Sequence, residues 1–261
     1  MKTCKDQLNR KLLFGRKPKR IVSLVPSQTE LLVDLGLEGF IVGVTKFCVH
    51  PNHLRMSKMV VGGTKEINIE KIKALRPDII LCNKEENTKE MIEELTGIAP
   101  IHVSDVYNLE DSFELINMYG DIFEIERTTS TLISNIKLER EAFQLQNQDI
   151  EKLKVAYFIW KKPWMVAASD NFINVMLNEA RFINVFESEK RYPEIDFNNS
   201  KLKEADLIFL STEPFPFKKA DVIELQSQFP DKKIKIVDGE LFSWYGSRLL
   251  KSYKYFQTLH N

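Results

Sequence analysis

The sequence predicts two α/β lobes with mainly parallel sheets, joined by one long helix. Three observations carry that reading. Short apolar runs alternate with helical stretches and short connections in both halves of the chain, the signature of a parallel α/β lobe. Between Gly120 and Pro163 there is neither glycine nor proline, and Ile125, Leu132, Ile136, Phe143 and Ile150 recur at spacings of 7, 4, 7 and 7, one stripe of a helix. The halves also echo each other. Arg76-Pro77-Asp78-Ile79-Ile80-Leu81 and Glu204-Ala205-Asp206-Leu207-Ile208-Phe209 each read as a helix end, an acidic turn and a buried strand. The boundaries that follow are a first lobe over 1–120, a connecting helix over 121–152 and a second lobe over 153–261. A helix from Asp121 to Glu151 would be about 45 Å long, and the lack of regular e/g charge pairs speaks against a coiled coil. Such a strut is a poor hinge, so the expected motion is small rocking. The ligand is expected in a cleft between the carboxyl ends of two sheets.

In order along the chain, Arg20 to Val25 reads as a buried strand, and Ser27 with Glu30 as a capping box opening a helix to Leu35 and Gly36. A strand over 41–44 leads into the loop Thr45-Lys46-Phe47-Cys48-Val49-His50-Pro51. After Val60-Val61 comes the turn Gly62-Gly63-Thr64-Lys65-Glu66, then a helix capped by Asn68 and ending near Arg76. The strand 79–82 precedes the polar loop Lys84-Glu85-Glu86-Asn87, a helix to Leu95, a strand over 101–103 and a helix opened by Asn108 and Asp111 that stops by Gly120. Beyond the long helix, the strand 154–159 ends in the loop Trp160-Lys161-Lys162-Pro163-Trp164. A short strand over 165–167, a helix over 171–179 and a helix to Glu204 follow. The strand 206–210 runs into the loop Ser211 to Phe217, and a helix through Leu225 leads to the strand 234–237. The loop 238–247 and a last helix complete the pattern. Eight of the ten glycines precede the long helix, so the second lobe's loops are stiffened by proline and aromatic residues instead.

Lys plus Arg equals Asp plus Glu at 37 each, so no net field recruits nucleic acid or an anionic membrane. The first twenty residues are basic and lack the apolar core of a secretory signal, and no segment approaches the ~18 apolar residues of a membrane span. At face value this places the chain in the cytoplasm. Three cysteines, Cys4, Cys48 and Cys82, make no disulfide framework; Cys82 reads as a small core residue and Cys4 not as an acylated anchor. Gly62-Gly63-Thr64-Lys65 lacks the Walker spacing, no Gly-x-Gly-x-x-Gly occurs, and Gly246-Ser247 lacks the rest of a nucleophile elbow.

Cys48, His50 and His53 lie within six residues and could begin a metal site, but zinc usually takes four donors, and a buried Cys48 beside a locally bonded His50 is the plainer account. The aromatics say more. Trp160, Trp164 and Trp244 all fall in second-lobe loops, as do Tyr192, Phe215, Phe217, Phe242 and Tyr245. Loop aromatics often fold back over their own sheet, yet this many are hard to bury, and several are expected to line a pocket. With Lys161, Lys162, Glu240 and Arg248 as polar anchors, that pocket suits a planar or macrocyclic ligand.

The segments Arg20 to Leu32, Gly62-Gly63 through Glu70, Arg76 to Leu81, Trp164 to Phe186 and Asp238 to Arg248 resemble, in order, the helical-backbone periplasmic binding proteins that serve ABC importers of vitamin B12 and ferric siderophores. The cobalamin-binding branch is the closest fit. The resemblance implies two lobes bridged by one helix, a ligand held in the cleft with little closure, an ABC permease as partner, and a place outside the cytoplasmic membrane. Thr64 stands where cobalamin-binding members carry a pocket tryptophan, Tyr192 at another aromatic pocket position, and Glu240 near a ligand-facing acid. Members of that family dock on their permease through one surface glutamate per lobe; Glu70 matches the first, and Asn198 stands at the second.

The expectation is a monomeric, non-catalytic receptor for a corrinoid or similar metal chelate, needing no cofactor. Its ligand residues would be Ser27, Lys46, Phe47, Thr64, Lys65, Trp160, Trp164, Tyr192, Phe215, Phe217, Glu240, Phe242, Trp244 and Tyr245. Two alternatives stay open: an intracellular enzyme or cofactor-handling protein working through Lys84-Glu85-Glu86-Asn87, and direct metal capture by Cys48, His50 and His53.

Overall fold

A computed structural model describes residues 2–260 and divides them into two units. The first comprises the residues up to Ile136 together with Tyr245–Arg248; the second comprises Lys137–Trp244 and the residues from Leu249 onward.

The first unit opens with a hairpin, β1 (Lys2–Lys5) and β2 (Lys11–Phe14), that the sequence reading missed. Its core is built from β3 (Ile21–Ser23), α1 (Pro26–Asp34), β4 (Ile41–Val44), α2 (Leu54–Ser57), β5 (Met59–Val60), α3 (Ile69–Ala74), β6 (Ile79–Asn83), α4 (Lys89–Leu95), β7 (Ile101–Ser104) and α5 (Leu109–Phe123). All five core strands run parallel in the order β5-β4-β3-β6-β7. A parallel strand is covered on both faces, which is why the run Ile79–Asn83 is buried throughout. The hairpin turn closes the outer edge of β7 with side chains. The Asp6 carboxylate accepts from Val103 N–H at 3.2 Å, Arg10 donates to Ile101 O at 3.0 Å, and Gln7 Oε1 accepts from Asp105 N–H at 3.1 Å. Edge groups that would otherwise invite another strand are thereby satisfied.

Asn68 caps α3 and Asn108 with Asp111 forms a capping box on α5, as the sequence indicates. Two expectations change. Ser27 and Glu30 form no capping box, because α1 is capped by Val25 without a side-chain bond and Glu30 is drawn to a stronger partner. The Arg248 guanidinium, arriving on a short 3₁₀ turn (Gly246–Arg248), binds Glu30 through two contacts of 2.7 and 3.1 Å, with side chains only 5% and 4% exposed. The long helix is also shorter than expected. Asp121 to Phe123 end α5, Glu124 turns left-handed at φ 50°, and α6 runs only from Glu126 to Gln146, about 31 Å. Gly120 is no stop signal: it lies inside α5, where a Cβ would meet Thr129 Oγ1 at 2.4 Å, so glycine lets the two helices approach at their junction.

The second unit comprises β8 (Lys154–Trp160), β9 (Met165–Val166), α7 (Phe172–Glu179), β10 (Ile183–Asn184), α8 (Ser200–Glu204), β11 (Leu207–Ser211), α9 (Lys219–Gln228), β12 (Lys233–Val237), α10 (Glu240–Ser243) and α11 (Leu249–Leu259). Its parallel strands take the order β10-β8-β11-β12, with β9 antiparallel to β8. The second half of α6 packs here: Phe143 meets the rings of Tyr253 and Phe256, and Arg140 grips Glu179 through two contacts of 2.7 and 2.8 Å. Phe158, Phe186, Ile208, Leu210, Phe217 and Leu225 belong to the buried core.

The buried pair predicts a large asymmetry. Glu30→Gln or Arg248→Met alone lowers urea stability by roughly 3–5 kcal/mol, because each strands a buried partner, while the double variant loses less than the sum. His102 supplies a second expectation. Both ring nitrogens lack a hydrogen-bond partner, Tyr119 meets the ring edge-on at 5.4 Å, and burial, against Asp6 and aided by Arg10, pushes the imidazole down to about 4. The unfolded chain therefore takes up this proton first. The contribution of neutral His102 is complete above the unfolded value and falls away as pH drops from about 6.5 to about 4, a loss of roughly 3 kcal/mol. His102→Leu should flatten that part of the stability profile, measured by denaturation at stepped pH.

Candidate functional site

In an open parallel sheet, ligands bind outside the carboxyl ends of the strands where the order reverses direction. In the first unit, the chain steps from β3 outward to β4 and β5, then returns to place β6 on the other side of β3. The reversal lies between β3 and β6, so the loops after those strands define the place.

Beneath it lies a buried polar network. Gln28 Nε2 donates to Ser104 Oγ at 2.6 Å and to Tyr245 OH at 3.0 Å, and Gln28 Oε1 accepts from Tyr119 OH at 2.5 Å. Asn83 Nδ2 donates to the same Ser104 hydroxyl at 2.9 Å. Burial pushes the Tyr245 phenol up to about 12 and raises the Tyr119 phenol well above its ordinary value, so both remain protonated at neutral pH. Tyr245 and Ser27 are therefore structural: both are buried, and each side chain faces the other rather than solvent.

The rim is built by three neighbouring loops. After β4, Phe47 is 48% exposed and the Lys46 ammonium stands 5.1 Å from its ring centre. After β5, Gly62 adopts φ 136°, and a Cβ there would strike Glu66 O at 2.5 Å, so glycine is what permits the tight turn. That turn presents half-buried Thr64 and exposed Lys65. After β6, Asn83 Oδ1 accepts the N–H groups of Glu85 and Glu86 at 2.8 and 3.1 Å. Asn87 Oδ1 accepts Asn83 N–H at 2.9 Å, and Asn87 Nδ2 donates to Thr64 O at 2.9 Å. Lys65 Nζ donates to Glu85 O. Lys46, Phe47, Thr64 and Lys65 thus share one rim, with Glu85 and Glu86 beside them.

In the second unit, the reversal lies between β8 and β11. Trp160 ends β8 and is 38% exposed; Phe215, on the loop after β11, meets its indole edge-on at 5.6 Å. Phe215 N–H donates to Ile159 O at 3.3 Å, which ties the two loops together. Tyr192 is half-buried under the Arg191 guanidinium, 5.4 Å from its ring, and half-buried Glu240 opens α10 with its N–H on Asp238 Oδ1 at 3.1 Å.

The other aromatics are corrected by the structure. Phe242 is fully buried against Tyr157 and Phe256, Phe217 closes the core, and Trp244 is buried as well. Trp164 stacks on Phe217 at 5.9 Å and touches Phe158 and Phe197, so it covers the core more than it faces outward. A unit of this size needs its loops to finish its own core, and large rings do that most cheaply. Lys161 is no ligand anchor either: Asp221 at 2.7 Å and Glu224 at 2.6 Å hold its ammonium and raise its pKa. Arg248 is consumed by Glu30.

The metal candidates do not assemble. Cys48 is buried with its sulfur 3.1 and 3.2 Å from the Thr29 and Thr45 hydroxyls, and burial raises its pKa; His53 Nε2 instead faces Glu38 at 2.8 Å. Among the described residues no group of three or more His, Cys, Asp or Glu is arranged to hold a metal ion, and no helix is long and apolar enough to cross a membrane. The sequence reading missed Gln28, Asn83, Ser104 and Tyr119 as the base of the first rim. The available signal was a polar residue ending each buried strand, Asn83 after Ile79–Cys82 and Ser104 after Ile101–Val103.

Comparison with known proteins points one way. A family model described as periplasmic binding protein matches residues 21–234. An uncharacterised ABC transporter substrate-binding lipoprotein of Bacillus subtilis is 29% identical over 184 residues, 67% of this chain and 58% of that protein's length. A vitamin B12-binding protein of Vibrio vulnificus is 25% identical over 198 residues, 74% of this chain and 71% of its own. The structure of a periplasmic heme-binding protein from Pseudomonas aeruginosa superposes with a TM-score of 0.80 at 20% identity, covering 93% of this chain and 92% of its own.

The two tryptophans of the β8 loop should part company in a stability measurement. Trp164→Ala costs roughly 3 kcal/mol in urea, since it uncovers Phe217 and Phe158, whereas Trp160→Ala costs about 1 kcal/mol or less.

Proposed function

The chain belongs to the periplasmic binding protein family, and from that premise we propose that it is a non-catalytic receptor for a corrinoid or similar metal-chelate ligand, of the kind that feeds an ABC importer. The observation that carries the proposal is the Trp160–Phe215 pair, an accessible aromatic surface at the point where the second unit's strand order reverses. A rigid edge-to-face ring pair offers apolar contact area at little entropic cost, which suits a macrocycle. Lys46, Phe47, Thr64 and Lys65 at the corresponding place in the first unit, with Tyr192 and Glu240 in the second, would supply the remaining ligand contacts. The vitamin B12-binding relative supports a corrinoid, and the heme-binding neighbour supports the fold that holds such chelates.

The partner would be a permease reached through Glu70. Its side chain is 81% exposed, and Lys73 meets it at 2.9 Å, a surface pair of small worth that a docking cation can replace. The receptor is read as a monomer and needs no cofactor of its own.

Titration calorimetry with cyanocobalamin, cobinamide and haemin tests the reading. Saturable binding of at least one is expected, weakened about tenfold by Trp160→Ala and by Phe215→Ala, the loss of about 1.4 kcal/mol that a stacked ring supplies. No heat and no thermal shift with all three would overturn it.

A further inference from the structure

The chain carries no net charge, yet its cations are gathered at one place. Residues 2–20 hold eight lysines and arginines against one carboxylate, Asp6. They form the β1–β2 hairpin and the segment leading to β3. The hairpin's register sorts its side chains into two faces. Cys4 pairs with Leu12, and Lys2 with Phe14, on the inner face, where Cys4, Leu12 and Phe14 are buried. On the other face Thr3 stands opposite Leu13 and Lys5 opposite Lys11. All four are exposed, Leu13 to 57%.

That outer face carries no acid, and nearby carboxylates are engaged elsewhere. Arg10 holds Asp6 at 2.6 Å, Lys2 holds Asp121 at 2.9 Å, and Arg16 reaches Asp78 at 3.3 Å. Among the described residues, Lys5, Lys11, Lys17 and Lys19 have no ion-pair partner. Like charges directly opposite on a sheet repel, so the Lys5–Lys11 pair costs the bare hairpin stability. The platform beneath is nevertheless fixed. Asp6 accepts the N–H groups of Leu8 and Arg10 at 3.0 and 2.9 Å, and Gln7 donates to Asp111 O at 2.8 Å and to Glu114 at 2.9 Å on α5. Past the hairpin's open end the cationic surface continues into a recess of about 250 Å³, whose lining includes Lys2, Phe14, Arg16, Lys17 and Glu124.

We propose that the outer face of this hairpin docks on an anionic lipid surface. Lipid phosphates meet Lys5 and Lys11 and cancel their mutual repulsion, while Leu13 beside Lys11 enters the headgroup layer. Cations around an exposed leucine match the boundary between headgroups and acyl chains. Single-stranded nucleic acid fits less well, because this face has no ring on which a base could stack. The proposal does not depend on which ligand the receptor takes.

Co-sedimentation of the full chain tests it, using vesicles of phosphatidylcholine alone and of phosphatidylcholine mixed equally with phosphatidylglycerol. Binding is expected to the mixed vesicles only, and it weakens as salt rises. Lys5→Gln combined with Lys11→Gln lowers partitioning about tenfold or more, since a lysine near an anionic surface is worth about fivefold. Leu13→Ser lowers it roughly threefold. The melting temperature of the double variant should hold or rise, because the cross-strand repulsion is gone, so lost binding is not lost folding. Lys203→Gln combined with Lys219→Gln, at exposed positions of the second unit, removes the same charge and should bind as the wild type does. Equal binding to both kinds of vesicle, binding to neither, or an equal loss in the control variant overturns the proposal. So does a short DNA duplex held through Lys5 and Lys11 as tightly as the mixed vesicles, which would make the face a nucleic-acid contact.

Discussion

The Glu30–Arg248 pair is the contact on which the first unit's interior depends. It is bidentate and almost wholly buried, and its two residues lie 218 positions apart in the chain. A buried ion pair gains little over an apolar substitute, but breaking one side is expensive, so its value here is to fix position. It pins the turn carrying Tyr245, and Gly246 N–H is held on Ser112 Oγ at 3.0 Å, so the phenol arrives in register with Gln28 and Ser104. Gly246 at φ 86° leaves room for Leu31, against which a Cβ would press at 3.3 Å. Without Tyr245, Gln28 Nε2 exchanges a 3.0 Å acceptor for a long contact of 3.5 Å to Cys82 O beside its bond to Ser104. The base of the rim and the ion pair are therefore one cooperative construction.

The two units build their strand-end loops by different physics. In the first, glycine turns and amide side chains do the work: Gly62 permits the bend, and Asn83 and Asn87 satisfy backbone groups from three loops. In the second, rings do it: Trp164 on Phe217, Phe215 on Phe217, and Trp160 on Phe215. The first unit's loops present charge and hydrogen-bonding groups, and the second unit's loops present apolar area.

Much of this was legible in the sequence, and the reasons are local. The runs Ile79–Cys82 and Leu207–Leu210 read as strands because both faces of a parallel sheet are covered. Asn68 and Asn108 read as helix caps because the capping oxygen and its N–H lie three residues apart. What failed was non-local. Glu30 looked like the far half of a capping box because its true partner lies at Arg248. Gly120 looked like a helix stop because the packing of Thr129 against it is invisible to local pattern. The aromatic loops were correctly noticed, but composition does not say which ring turns inward. Phe242 and Phe217 finish the core while Trp160 remains accessible, and only strand order places Trp160 at the reversal.

The docked turn has a consequence for how the chain comes off the ribosome. Synthesis is vectorial, and every strand of the first sheet has emerged long before residue 245 exists. Throughout that interval Glu30 is a carboxylate facing a cavity that has no guanidinium in it, and Gln28 lacks the Tyr245 hydroxyl. The nascent first unit can collapse, but the contacts of Arg248 with Glu30 and of Tyr245 with Gln28 form only once that turn is threaded in. Completion of the first unit thus waits on residues made 218 positions after Glu30, and a chain truncated before Arg248 would leave that contact unmade.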